Sequence, residues 1–131
     1  MIIQGLSLSD DSTFIIQRMG GPLTNELALQ RAAEAASFAN KHGVFRLLSD
    51  ARGAAYEGTP FSHYEFTYMM KSSVPTARAL KVAVLTSADD DSHDFLQIAC
   101  RTADYVLRVF KDYEEAVRWL RGDADDAHET G

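Results

Sequence analysis

The chain has 131 residues, 46% hydrophobic and 24% charged, the make-up of an ordinary globular domain long enough to bury its own core. Of its formal charge of −6, residues 122–131 supply four acidic side chains (Asp123, Asp125, Asp126, Glu129) and no Lys or Arg, leaving −2 to residues 1–121. There is no basic stripe for nucleic acid and no apolar run for membrane insertion, and one cysteine, Cys100, excludes an internal disulfide or a Cys-based zinc cage.

Residues 1–8 and 13–18 are extended stretches rich in Ile, Leu and Phe, separated by the turn formers Ser9-Asp10-Asp11-Ser12, so they predict an N-terminal β-hairpin. The first residues carry no basic segment and no long apolar one, unlike a secretory signal. With the single cysteine, this points to a reducing, cytoplasmic setting. Gly20-Gly21-Pro22 turns the chain, and Thr24 serves as N-cap to a helix with Glu26 in its first turn and Gly43 as its stop. The apolar stripe of that helix is all alanine (28, 32, 35, 36 and 39), which lets a helix approach a sheet closely. Arg31 and Glu34 fall on the solvent side.

Residues 44–49 form a short apolar strand ending in Asp50-Ala51-Arg52-Gly53. In α/β proteins the carboxyl ends of such strands are where ligands meet the sheet. Asp50 and Arg52, two residues apart, are either a polar recognition pair or an Asp accepting loop amides with the Arg paired beside it. Thr59-Pro60 opens a second helix over 61–72, and Pro75 bars its continuation. This helix has two apolar stripes, Phe61, Tyr64 and Tyr68 on one side and Phe66, Met69 and Met70 around another. A helix that covers one sheet needs only one. The second stripe therefore asks for another helix, a dimer partner or an apolar ligand.

Residues 79–86 are apolar enough for a strand buried on both faces, and 87–91 form a polar loop. Ser92 caps a third helix with Phe95, Ile98, Ala99 and Thr102 at core spacing, and 104–110 form the last strand. Asp112 caps a final helix that turns Tyr113, Ala116, Val117 and Leu120 inward, with Trp119 at the edge. The expected fold is a single α/β domain over residues 1–121: an N-terminal hairpin, then alternating α/β units in a mostly parallel five-stranded sheet with four helices. Residues 122–131 read as an acidic, disordered tail.

Motifs for chemistry are missing. No glycine-rich phosphate loop, nucleophile elbow or His-Glu-x-x-His pair is present. The four histidines are dispersed: His42 at a helix end, His63 on the second helix, His93 beside a cap, His128 in the tail. His93 beside Asp89-Asp90-Asp91 is the one spot resembling a metal site, but consecutive aspartates lack the alternating spacing of calcium loops. The expectation is no catalytic residue, no metal and no cofactor.

Several patterns together carry a resemblance: Gly21-Pro22-Leu23-Thr24 before the first helix, the 47–53 strand end, Lys81-Val82-Ala83-Val84-Leu85, and the ending from Arg108-Val109-Phe110 through Tyr113-Glu114-Glu115 to Trp119-Leu120. On these the chain resembles the SpoIIAA-like branch of the STAS domains, grouped with Sec14-type domains. The resemblance implies successive β/α turns behind a hairpin and a non-catalytic regulatory or binding role. Anti-sigma-factor antagonists of this kind switch partners through a phosphorylated Ser in an Asp-Ser-Ser-Gly context. Here the region reads Gly58-Thr59-Pro60-Phe61, without the acidic residue, and Thr59 is the nearest hydroxyl, also suited to an N-cap.

Three functions follow as expectations. The first is a module acting by protein contact or self-association as a homodimer, through Phe66, Met69, Met70 and the loop from Asp50 and Arg52 onward. The second is a carrier or sensor of an apolar small molecule or lipid, with Tyr56, Phe61, Tyr64 and Tyr68 lining a pocket of roughly 300 Å³ or more. The third is a hydrolase using His63 or His93, which requires the second helix and the Asp89 loop to converge, something the sequence does not demand.

Overall fold

The computed structural model describes residues 5–58 and 60–122, without the side chains of Pro60 and Phe61. The tail beyond 122 and Thr59 lie outside the described residues. A hairpin of β1 (Leu6–Leu8) and β2 (Ile15–Arg18) opens the fold. Then come α1 (Asn25–His42), β3 (Arg46–Asp50), α2 (Pro60–Ser73), β4 (Lys81–Leu85), α3 (Asp94–Thr102), β5 (Val106–Phe110) and α4 (Tyr113–Arg121). The strands lie in sequence order in one five-stranded sheet; β1 and β2 are antiparallel and every later pair is parallel. This is the expected architecture.

Local chemistry explains most boundaries. Thr24 Oγ1 accepts from Leu27 N at 3.2 Å, and Gly43, at φ 70°, closes α1 in the left-handed region that glycine enters without a Cβ clash. Asp112 Oδ2 accepts from Glu115 N at 3.0 Å to start α4. In the hairpin turn, Asp11 accepts from Ser9 and Thr13; the Thr13 hydroxyl first, then Ser9, hold its carboxyl down to about 2.

Parallel crossovers are right-handed, so strands taken in order put α1, α2 and α3 on one face of the sheet. The strands alternate accordingly. Leu48, Ala83, Leu85 and Phe110 join Val117, Trp119 and Leu120 on the α4 face. Leu47, Val82 and Val84 face the other three helices. Burial on both faces is what the apolar strands required.

Several expectations are corrected. The strand placed at 44–49 runs Arg46–Asp50, because Val44 N still bonds Ala39 O at the helix end. A 3₁₀ turn, Pro75–Ala79, delays β4 to Lys81. Ser92 does not cap α3; its hydroxyl is held by Asp90, and the helix begins at Asp94. Its buried stripe is Leu96, Ala99 and Cys100, while Phe95 and Ile98 are exposed. Two stripes at helical spacing overlap in this sequence, and the sheet takes the one shifted by a residue. On α4, Tyr113 is exposed and Trp119 is buried against Phe110, the reverse of the expectation. Arg31 and Glu34 are not solvated but half-buried and paired at 3.0 Å. Among the described residues, no helix is long and apolar enough to cross a membrane.

Candidate functional site

The loop after β3 continues the sheet in miniature. Met19 N bonds Asp50 O, Gly21 N bonds Gly53 O and Leu23 N bonds Ala55 O, so residues 19–23 and 50–56 run side by side past the strand ends. Leu23 and Tyr56 form the last bridge. Tyr56 N also donates to Ser92 Oγ at 2.9 Å, and Asp90 Oδ1 accepts from both the Ser92 backbone and its hydroxyl. Burial pushes the Asp90 carboxyl up, but the Ser92 hydrogen bonds and the His93 and Lys111 charges outweigh it and hold it below the usual range. The loop after β3 is thereby pinned to the loop after β4.

That pinning builds an aromatic cluster at the carboxyl edge. The Tyr56 ring lies 4.1 Å from His63 of α2 and 6.1 Å, edge-on, from His93. All three residues are buried. Gly58 lets α2 come this close, since a Cβ there would sit 3.0 Å from both the Tyr56 ring and Ser62. His93 Nε2 lies 2.8 Å from Ala54 O, and because a carbonyl only accepts, Nε2 carries the proton. Among the described residues, both His63 nitrogens, His93 Nδ1 and Tyr56 Oη have no hydrogen-bond partner. Burial, with a smaller contribution from His93, lowers the His63 pKa; burial and then Glu65 push the Tyr56 phenol up to about 12. The sequence does not require α2 and the Asp89 loop to converge, but the fold brings their histidines together across Tyr56.

The residues expected at a contact surface or in an apolar pocket separate into three places. At the end of β3, Asp50 accepts from Arg52 through Nε at 2.9 Å and Nη2 at 2.8 Å, and from its backbone N at 3.3 Å. These bonds keep the Asp50 carboxyl below its usual range. Of the two readings offered for this pair, the geometry is that of the local one. Inside, Tyr56, Phe66 and Met70 border a cavity of about 90 Å³ between the sheet and α1, α2 and α3. Outside, Tyr64, Tyr68 and Met69 border a surface hollow of about 340 Å³ along α2. The Phe61 side chain and Thr59 lie outside the described residues.

Two expectations fall with this geometry. Phe66 and Met70 are buried against Leu96, Cys100 and Tyr105, so they cannot form a contact surface. Tyr64 and Tyr68 are 40% and 75% exposed, so they do not line a pocket with Tyr56. The inner cavity is also far below the roughly 300 Å³ expected of a carrier site, too small for a lipid chain. From the sequence, His63 and His93 stand as alternative hydrolase residues, His93 also beside an acidic loop, and neither is placed with Tyr56. The available signal was that His63 falls in register with Phe66 and Met70, at i, i+3 and i+7. Among the described residues, no three His, Cys, Asp or Glu side chains gather as a metal would need.

Among solved structures, the chain is similar to the anti-sigma factor antagonist SpoIIAA in its unphosphorylated form, with a TM-score of 0.53 over 89% of this chain and 96% of that one. At 14% identity this establishes the shared fold, the one the sequence patterns implied. No family model and no curated protein matches the chain in sequence.

Proposed function

We propose that the chain is a non-catalytic regulatory or binding module that works by contact with another protein, using the outward face of α2. The observation that carries this reading is Tyr68, 75% exposed beside Tyr64 and Met69 on a helix whose other face is already buried. Exposed tyrosines around a hollow have the composition of interface anchors, which bury large rigid area at low entropic cost. Support also comes from SpoIIAA, a protein of this fold whose described role is to antagonise an anti-sigma factor. In this reading residues 1–121 form the working domain, the setting is the cytoplasm, and the partner is a second protein or a second copy of the chain.

Native mass spectrometry of the chain and of Tyr68→Ser tests it. A dimer that dissociates on substitution supports self-association through α2. A monomer that loses a co-purifying protein on substitution supports a different partner. A dimer or complex indifferent to Tyr68→Ser, with Tyr64→Ser equally silent, overturns the assignment of this face.

A further inference from the structure

The outward face of α2 carries a charge pattern that is complementary to itself. Tyr68 stands at its centre, with Glu65 three residues before it and Lys71 three residues after it. Both charged side chains are exposed, and among the described residues neither joins an ion pair. They cannot pair with each other, because only residues three or four apart are neighbours on a helix surface. Helix geometry puts them about 4.5 Å to either end of Tyr68 along the axis and about 60° to either side of it.

A two-fold axis beside Tyr68 turns this pattern into complementarity. When a second α2 crosses antiparallel, Tyr68 against Tyr68, position 65 of each helix comes level with position 71 of the other. One crossing then makes two opposite-charge pairs, as a closed isologous contact requires. A parallel crossing would set Glu65 level with Glu65 and Lys71 level with Lys71, which like charges oppose. The shape has the same property. Tyr68 stands 75% exposed beside the hollow of about 340 Å³ that it borders with Tyr64, Glu65 and Met69, so each face offers both a ring and a recess. We propose that the partner of this face is a second copy of the chain, docked as an isologous dimer in which two α2 helices cross antiparallel at Tyr68 and Glu65 of each pairs with Lys71 of the other. This rests on the reading of the outward α2 face as the working surface, and gives that surface a partner and a register.

The experiment is sedimentation equilibrium of the full chain and of Glu65→Lys and Lys71→Glu, each alone and the two mixed. Both substitutions are at exposed positions, so both variants fold. The chain is expected to dimerise with a dissociation constant below about 1 mM. Each variant alone should associate at least about tenfold more weakly, because both of its cross-pairs become like-charged. An equimolar mixture of the two should recover the association, since a mixed dimer again sets opposite charges at both places. A chain that stays monomeric to about 1 mM overturns the second copy, while loss of a co-purifying protein in Tyr68→Ser would keep the α2 face. A dimer that Tyr68→Ser dissociates, with no recovery in the mixture, overturns the antiparallel register and also keeps the face. A dimer indifferent to Tyr68→Ser, Tyr64→Ser and both charge variants overturns the face and the dimer proposed on it together.

Discussion

The two faces of α2 present similar residue types and do opposite things. Inward, His63, Phe66, Thr67 and Met70 follow i, i+3, i+4 and i+7 and are all buried; outward, Tyr64 and Tyr68 meet solvent. Apolarity alone would not sort them, because the inner stripe contains a histidine and a threonine while the outer one contains two tyrosines. What separates them is whether a neighbour exists. The inner stripe meets Ala36 of α1 and Leu96 and Cys100 of α3, and the outer one meets nothing else in the described fold except a shallow hollow. The inner face therefore answers to stability, and the outer face is free to answer to a partner.

The sharpest break between the faces is expected from truncation. Phe66→Ala removes a buried ring from the α1–α2–α3 cluster and should cost about 3–5 kcal/mol, read from the urea midpoint. Tyr68→Ala should stay within about 0.5 kcal/mol in the same measurement. A Tyr68→Ala cost near that of Phe66→Ala would erase the distinction.

Thiol reactivity probes the same interior without a substitution. Cys100 is fully buried, and burial pushes its thiol up to about 12, so a thiol reagent should label it only as the protein opens. Labelling should follow the urea unfolding curve; rapid labelling of the native chain would show the α2–α3 interior to be open.

Acid should weaken the inner face. Burial lowers the His63 pKa from its ordinary 6.5, so below 6.5 the unfolded chain binds this proton more readily than the folded one. The His63 contribution is therefore constant above 6.5, and stability falls as pH drops from 6.5 toward the lowered folded value. Urea midpoints from about pH 7.5 to about 5 should show this decline, and His63→Leu should flatten it. An unchanged slope in His63→Leu would assign the decline to other groups.

The smallest effect belongs to the polar pair at the end of β3. Arg52→Ala removes the partner of Asp50, but Arg52 is half-exposed, so the loss should be below about 1 kcal/mol and should shrink further in high salt. A larger, salt-insensitive loss would mean that Asp50 holds the loop more firmly than an exposed pair can.

Much of the fold was legible because it rests on local signals. Thr24, Gly43 and Asp112 mark helix ends through backbone hydrogen bonds that their own side chains or φ angles supply, and the apolar 81–85 strand asks for cover on both sides. Parallel order then followed from alternation and handedness. The rotation of α3 and the fates of Tyr113 and Trp119 were not legible, since each helix offers two plausible stripes and only the curvature and spacing of the sheet choose between them.

The site divides the same way. The sequence by itself determined that β3 ends in a polar turn with Asp50 and Arg52, and that an aromatic helix follows it. That strand end is a local ion pair, a two-residue affair that sequence spacing is able to describe. Only the tertiary structure decided that Tyr56, His63 and His93, which lie on a loop, a helix and the start of another helix, close around one another. Their meeting depends on Ser92 reaching the Tyr56 amide across 36 residues of chain, and on Gly58 admitting α2. A contact of that range leaves no periodic trace in the sequence, because its partners are brought together by the order of strands in the sheet and not by their spacing along the chain.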